Sequence, residues 1–141
     1  MPHVRLKGEI DLRAVWQEPP AFSFSVPEDD THVKFREAFL ASNGEVLLLR
    51  FVVAEGRLVQ HVQLLLIKEP STFLLKIDRG APVLKSPGVK LLLATVAGWL
   101  CARGAAVAST NLQSYMNRGA FYALHAKTRG EGAKSEPIDS D

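Results

Sequence analysis

The sequence is poor in cysteine: a single thiol, Cys101, stands in 141 residues. That excludes an internal disulfide and a cysteine-rich zinc site as sources of stability. Long apolar runs are also missing. The longest, residues 91–102, is interrupted by Thr95 and Gly98, and a helix of that length spans ~18 Å against ~30 Å of hydrocarbon. It reads as a buried helix and not as a membrane span. Residues 1–7 carry charge with no apolar stretch behind them, so no secretory signal is read there, and with one thiol the expected compartment is the cytoplasm. The four histidines, His3, His32, His61 and His125, lack short metal-ligand spacing. Neither a P-loop nor an RNP, KH or helix-turn-helix signature is present. No metal and no cofactor is expected.

Acidic residues are absent from residues 79–130, where seven bases stand: Arg79, Lys85, Lys90, Arg103, Arg118, Lys127 and Arg129. Residues 1–78 set nine bases against eleven acids, and residues 131–141 one against four, so the net charge of +2 conceals a segregation. A stretch of one sign attracts anions if it folds onto one surface. Arg79, Lys85, Lys90, Arg118, Lys127 and Arg129 form a candidate anion-binding set. Ser86 and Gly88 join it, because free N–H groups at a helix start favour anions. The ligand would be nucleic acid or another phosphate-bearing molecule. Bases spaced this widely equally serve as a solvated surface, and Ser86 equally serves as an ordinary cap.

What is present is apolar residue enough for one core: 47% hydrophobic against 23% charged, in a chain of single-domain length. Residues 1–129 read as that domain. Residues 130–141, with Gly, Pro, Ser and charge, read as a disordered acidic tail dispensable for folding. Residues 3–7 alternate like a strand, residues 9–18 suit a short helix closed by Pro19-Pro20, and Phe22, Phe24 and Val26 mark a second strand. Four long strand-like segments follow, at residues 32–42, 45–54, 57–69 and 72–78, divided by Asn43-Gly44, Glu55-Gly56 and Pro70-Ser71. Ser86-Pro87 then opens an apolar helix that Gly104 closes. Residues 105–108 suggest a short strand. Residues 111–127 suggest a further helix, which Gly119 weakens. The fold class expected is α+β: a curved antiparallel meander of about five to six strands, with the long apolar helix on one face.

Two-residue turns set strand register, so the meander can be paired from its turns. Turning at Asn43-Gly44 and Glu55-Gly56 places Glu37 opposite Arg50, and Arg50 opposite His61. A two-residue turn at Pro70-Ser71 puts Gln63 opposite Asp78 on that same face. Glu37, Arg50, His61 and Asp78 are therefore a candidate polar site, flanked by Val33, Phe35, Phe39, Val46, Leu48, Val52, Val59 and Leu65. Leu47, Leu49, Phe51, Val53, Val62, Leu64 and Leu66 occupy the opposite face, the better bed for the helix. Arg50 held by Glu37 could grip a carboxylate or phosphate, with His61 as acid or base, which would make a small hydrolase or isomerase. The same residues also make an ordinary cross-strand ion pair with a bystander histidine, and no nucleophile motif accompanies them. Both faces of residues 45–54 are apolar and one helix covers one face. The expected function is thus a non-catalytic ligand-binding or protein-interaction module working as a homodimer, unless the helix at residues 9–18 covers the second face.

Overall fold

The structure, a computed structural model, describes residues 1–80 and 82–128. Arg129 and the acidic tail lie outside the described residues. The elements run β1 (His3–Lys7), α1 (Leu12–Gln17), β2 (Phe22–Val26), β3 (Thr31–Leu40), β4 (Val46–Glu55), β5 (Leu58–Lys68), β6 (Phe73–Ile77), α2 (Pro87–Cys101), β7 (Ala106–Thr110), α3 (Gln113–His125) and β8 (Lys127–Thr128). All the strands join one curled antiparallel sheet in the order β7-β1-β6-β5-β4-β3-β2-β8. The α+β class and the meander are as the sequence pattern implies. The count of five to six strands is too low. Among the described residues the sheet has eight, the last of only two residues, because β1 and β7 extend it beyond β6 while β2 and β8 extend it beyond β3.

One face of the sheet forms the core. Leu47, Leu49, Phe51 and Val53 of β4, Val62, Leu64 and Leu66 of β5, and Leu75 and Ile77 of β6 are buried there. Helix α2 lies on this inner face, and nearly its whole length from Gly88 to Leu100 is buried. A second helix covers the side of α2 turned away from the sheet. At that crossing Gly119 of α3 meets the Ala94 backbone so closely that a Cβ on Gly119 would stand 2.4 Å from the Ala94 carbonyl carbon. Gly98 meets Ala120 in the same way. Gly119 therefore lowers helix propensity and at the same time permits the packing that makes α3 part of the fold. Helix α1 joins the same side: Leu12 is buried in the core, and Ile10 and Val15 share a cavity of about 300 Å³ with Trp99 and Leu100.

The start of α2 is fixed by a carboxylate. The Ser86 hydroxyl donates to Glu55 Oε1, the Gly88 N–H donates to Glu55 Oε2 at 2.9 Å, and Ser86 Oγ accepts from the Val89 N–H at 3.4 Å. Glu55, at the end of β4, thus fills the anion-favouring end of the helix with a group of the protein's own. Ahead of it, the Gln60 side chain holds the backbone of Leu84 at both ends, accepting from its N–H at 2.7 Å and donating to its carbonyl at 3.2 Å.

Candidate functional site

The polar row forms with one change of membership. Glu37 pairs with Arg50 in register, and Arg50 Nη1 donates to Glu37 Oε2 at 3.1 Å. Opposite Arg50 on its other side stands Gln63, not His61. The second turn is centred on Gly56-Arg57, not on Glu55-Gly56: Glu55 pairs with Leu58, and Gly56 takes the positive φ of +59° in the first central position. Glycine is required at that position when only the first central residue is left-handed. The register therefore moves by two residues, which preserves the face and displaces His61 by one row, to a place opposite Val52. His61 lines a separate depression of about 500 Å³ with Leu58, Val59 and Leu84. Asp78 is opposite Gln63, donating its N–H to the Gln63 carbonyl at 2.8 Å while its carboxylate accepts from the Gly80 N–H.

A second departure concerns Val33 and Phe35. Both are buried in the core and are not on the face of the polar row. The register of β3 against β4 shifts between Phe35 and Glu37, so Arg36 is an inserted residue. Such a bulge turns every residue on one side of it to the opposite face. It lets Val33 and Phe35 serve the core while Glu37 and Phe39 face outward.

Among the described bases of residues 79–128, the structure finds several separate settings. Arg118 pairs with Asp29 at 3.4 Å, and the Arg103 guanidinium lies 3.7 Å above the Trp99 ring. Lys85 and Lys90 border a depression of about 310 Å³ beside Met1 and Asn111. Arg79 is exposed after β6, and the Lys127 backbone pairs with Ser23 at the far margin of the sheet. Ser86 and Gly88 are engaged by Glu55. Among the described residues no group of three or more His, Cys, Asp or Glu is placed to hold a metal ion.

The outer face of the sheet is the larger feature. Phe39 is 48% exposed, and Val46, Leu48, Leu65, Ile67 and Leu74 beside it are half-buried. Register places Phe39, Leu48, Leu65 and Lys76 in one row, and Val46, Ile67, Leu74 and Arg5 in the next. Ion pairs bracket this apolar patch, Glu37–Arg50 at one end and Arg5–Glu69 at the other, the latter with Nε to Oε1 at 3.3 Å. Hydrogen bonds from Arg5 and then Thr72 hold the Glu69 carboxyl below the usual carboxylate range. Towards β2 the same face deepens into a groove of about 660 Å³, walled by the C-terminal end of α3. Sequence patterning shows the alternation that makes this face. The groove carries no local signal, because β2, β3, β4 and α3 each contribute to it.

Among the described residues the fold is α+β, with one sheet whose inner face is covered by helices and whose outer face is met only by the end of α3. The chain matches no protein-family model, no curated protein and no solved structure.

Proposed function

We propose that this protein is a non-catalytic interaction module that works as a homodimer through the outer face of its sheet. The observation that carries this reading is the apolar patch of Phe39, Val46, Leu48, Leu65, Ile67 and Leu74, over which no helix packs among the described residues. Contiguous exposed apolar area of this kind marks an interaction site. With its bracketing ion pairs the patch spans four strands, about 20 Å across, and about 15–20 Å along them, in the lower part of the range of interface sizes. A second copy suits the patch because each bracketing ion pair offers both signs, as a two-fold contact between identical surfaces requires. Sheets stacked in this way pack ~10 Å apart.

The other readings have weaker support. The closed Glu37–Arg50 pair and the displaced His61 weigh against acid–base chemistry on the row. The separated settings of Arg103, Arg118, Lys85 and Lys90 weigh against one polyanion surface. The lone thiol suits a reducing compartment such as the cytoplasm.

Sedimentation equilibrium over a concentration series tests the proposal. The wild-type chain is expected to dimerise. Leu48→Lys is expected to be monomeric at the same concentrations with an unchanged far-UV spectrum. A wild-type chain with the mass of one copy at every concentration, or a Leu48→Lys variant that dimerises as wild type does, would overturn the reading.

A further inference from the structure

The groove at the β2 margin has the composition of a ligand site. Its volume of about 660 Å³ falls within the ~300–1,000 Å³ typical of small-molecule pockets. Val52 and Ala54 of β4 form an apolar floor, and Phe121 and Tyr122 of α3 form an aromatic wall. That wall is braced. Tyr122 stacks on the buried Phe24 at 4.7 Å, and Phe121 meets Tyr122 edge-on at 5.3 Å and the His125 ring face-on at 4.3 Å. Beside that floor Lys34 is in register between Ser23 and Val52, both Lys34 and Ser23 are exposed, and Arg36 lines the groove as well.

The charge in the groove is one-sided. Among the described residues no carboxylate lines it. Asp30, nearby, is 3.4 Å from His32 Nε2, and the other ring nitrogen of His32 shares a hydrogen bond with the Ser25 hydroxyl at 2.8 Å. His125 is committed too, its Nδ1–H donating to the Phe121 carbonyl at 2.9 Å. Lys34 has no acidic partner among the described residues. An ammonium beside a hydroxyl, over an apolar floor and facing an aromatic wall, lacks only an anion with an apolar body.

We infer that this groove binds a small organic anion with an apolar body and one carboxylate, the body lying on Val52, Ala54, Phe121 and Tyr122 and the carboxylate on the Lys34 ammonium and the Ser23 hydroxyl. Arg36 also lines the groove but already has a partner, which leaves the Lys34 ammonium beside the Ser23 hydroxyl as the donor pair suited to a carboxylate. The groove is at the opposite end of β3 and β4 from Phe39 and Leu48, so its occupancy does not depend on self-association.

Octanoate, octanol and octylamine, titrated separately into the isotope-labelled full chain and followed by amide NMR shifts, test the inference. Octanoate is expected to give saturable shifts confined to residues 23–25, 32–36, 52–54 and 121–126, with octanol weaker by about tenfold or more and octylamine weaker still. Lys34→Ala is expected to reduce octanoate to the affinity of octanol while leaving octanol unchanged. Val52→Trp, which fills the floor, is expected to abolish both without lowering the melting temperature. Shifts that do not saturate, shifts centred on Phe39 and Leu65, equal binding of octylamine, or a Lys34→Ala variant with wild-type octanoate affinity would each overturn it. The Leu48→Lys variant should bind octanoate as wild type does, which separates this result from the outcome for dimerisation.

Discussion

Strand β4 offers leucine to both sides of the sheet. Leu47 and Leu49 are fully buried beneath α2, while Leu48 between them is only half-buried on the outer face. Hydrophobicity alone does not distinguish the two faces, but charge does. The inner rows from β3 to β6 carry ions only at their rims, Glu55 at one and Lys68 at the other, whereas outer rows include Lys34, Glu37, Arg50 and Lys76. Laying a helix over Arg50 would desolvate a guanidinium, a cost of several kcal/mol that further apolar burial there would not offset. The helices therefore collect on the side whose charges stand only at the rims. The outer face keeps apolar surface suited to a partner that can meet its ion pairs.

The sharpest way to break this contrast is to truncate adjacent leucines. Leu49→Ala should lose about 3 kcal/mol of unfolding free energy by urea denaturation. Leu48→Ala, measured in dilute monomer, should lose less than about 1 kcal/mol. Equal losses would mean that the two faces are equally sealed. Next in size is Gly119→Ala, where the added methyl must push α3 off the Ala94 backbone. A loss of about 2 kcal/mol is expected, despite the gain in helix propensity. A stabilised variant would show that the α2–α3 crossing is not close-packed.

Smaller again is Glu55→Ala, which removes the carboxylate from Ser86 and Gly88 and should cost about 1 kcal/mol in the same assay. The smallest effect concerns the outer face. Glu69 has its folded pKa lowered by Arg5 and Thr72. Its contribution to stability is therefore present above the unfolded carboxyl pKa of ~4.3 and fades as pH falls through the lower folded value. Melting curves of wild type and Glu69→Gln should differ slightly at neutral pH and converge in acid. Curves that stay parallel throughout the acid range would show that the Arg5 pair is not what lowers this carboxyl.

The meander and the register of the first hairpin were legible from Asn43-Gly44, although the turn is a longer loop. The Ala41 N–H donates to the Val46 carbonyl, the Gly44 N–H donates to the Ala41 carbonyl, and of the two residues only Gly44, at φ +74°, is left-handed. The long helix was legible for a similar reason: Ser86-Pro87 is a local start signal, and Ser86 does cap α2. Three features were not legible, each for a physical reason. The bulge at Arg36 is marked by neither glycine nor proline, so the turning of Val33 and Phe35 inward shows only in the pairing. The choice between Glu55-Gly56 and Gly56-Arg57 is tied to Glu55 having a second task at the start of α2, some thirty residues later. The groove is assembled from β2, β3, β4 and α3, and its lining becomes adjacent only when the sheet and helix are both in place.

The position of β1 has a consequence for the order of events in folding. Residues 3–6 lie between partners at residues 73–76 and 106–110, so β1 has no sheet neighbour close to it in the sequence. Residues 31–77 need only hairpin closures, which are local and fast. Pairing of β1 must instead close loops of roughly seventy and a hundred residues, with the greater entropic penalty of long loops. The hairpins of residues 31–77 are therefore expected to form before β1 pairs, and the insertion of β1 between β6 and β7 is expected to be a late step.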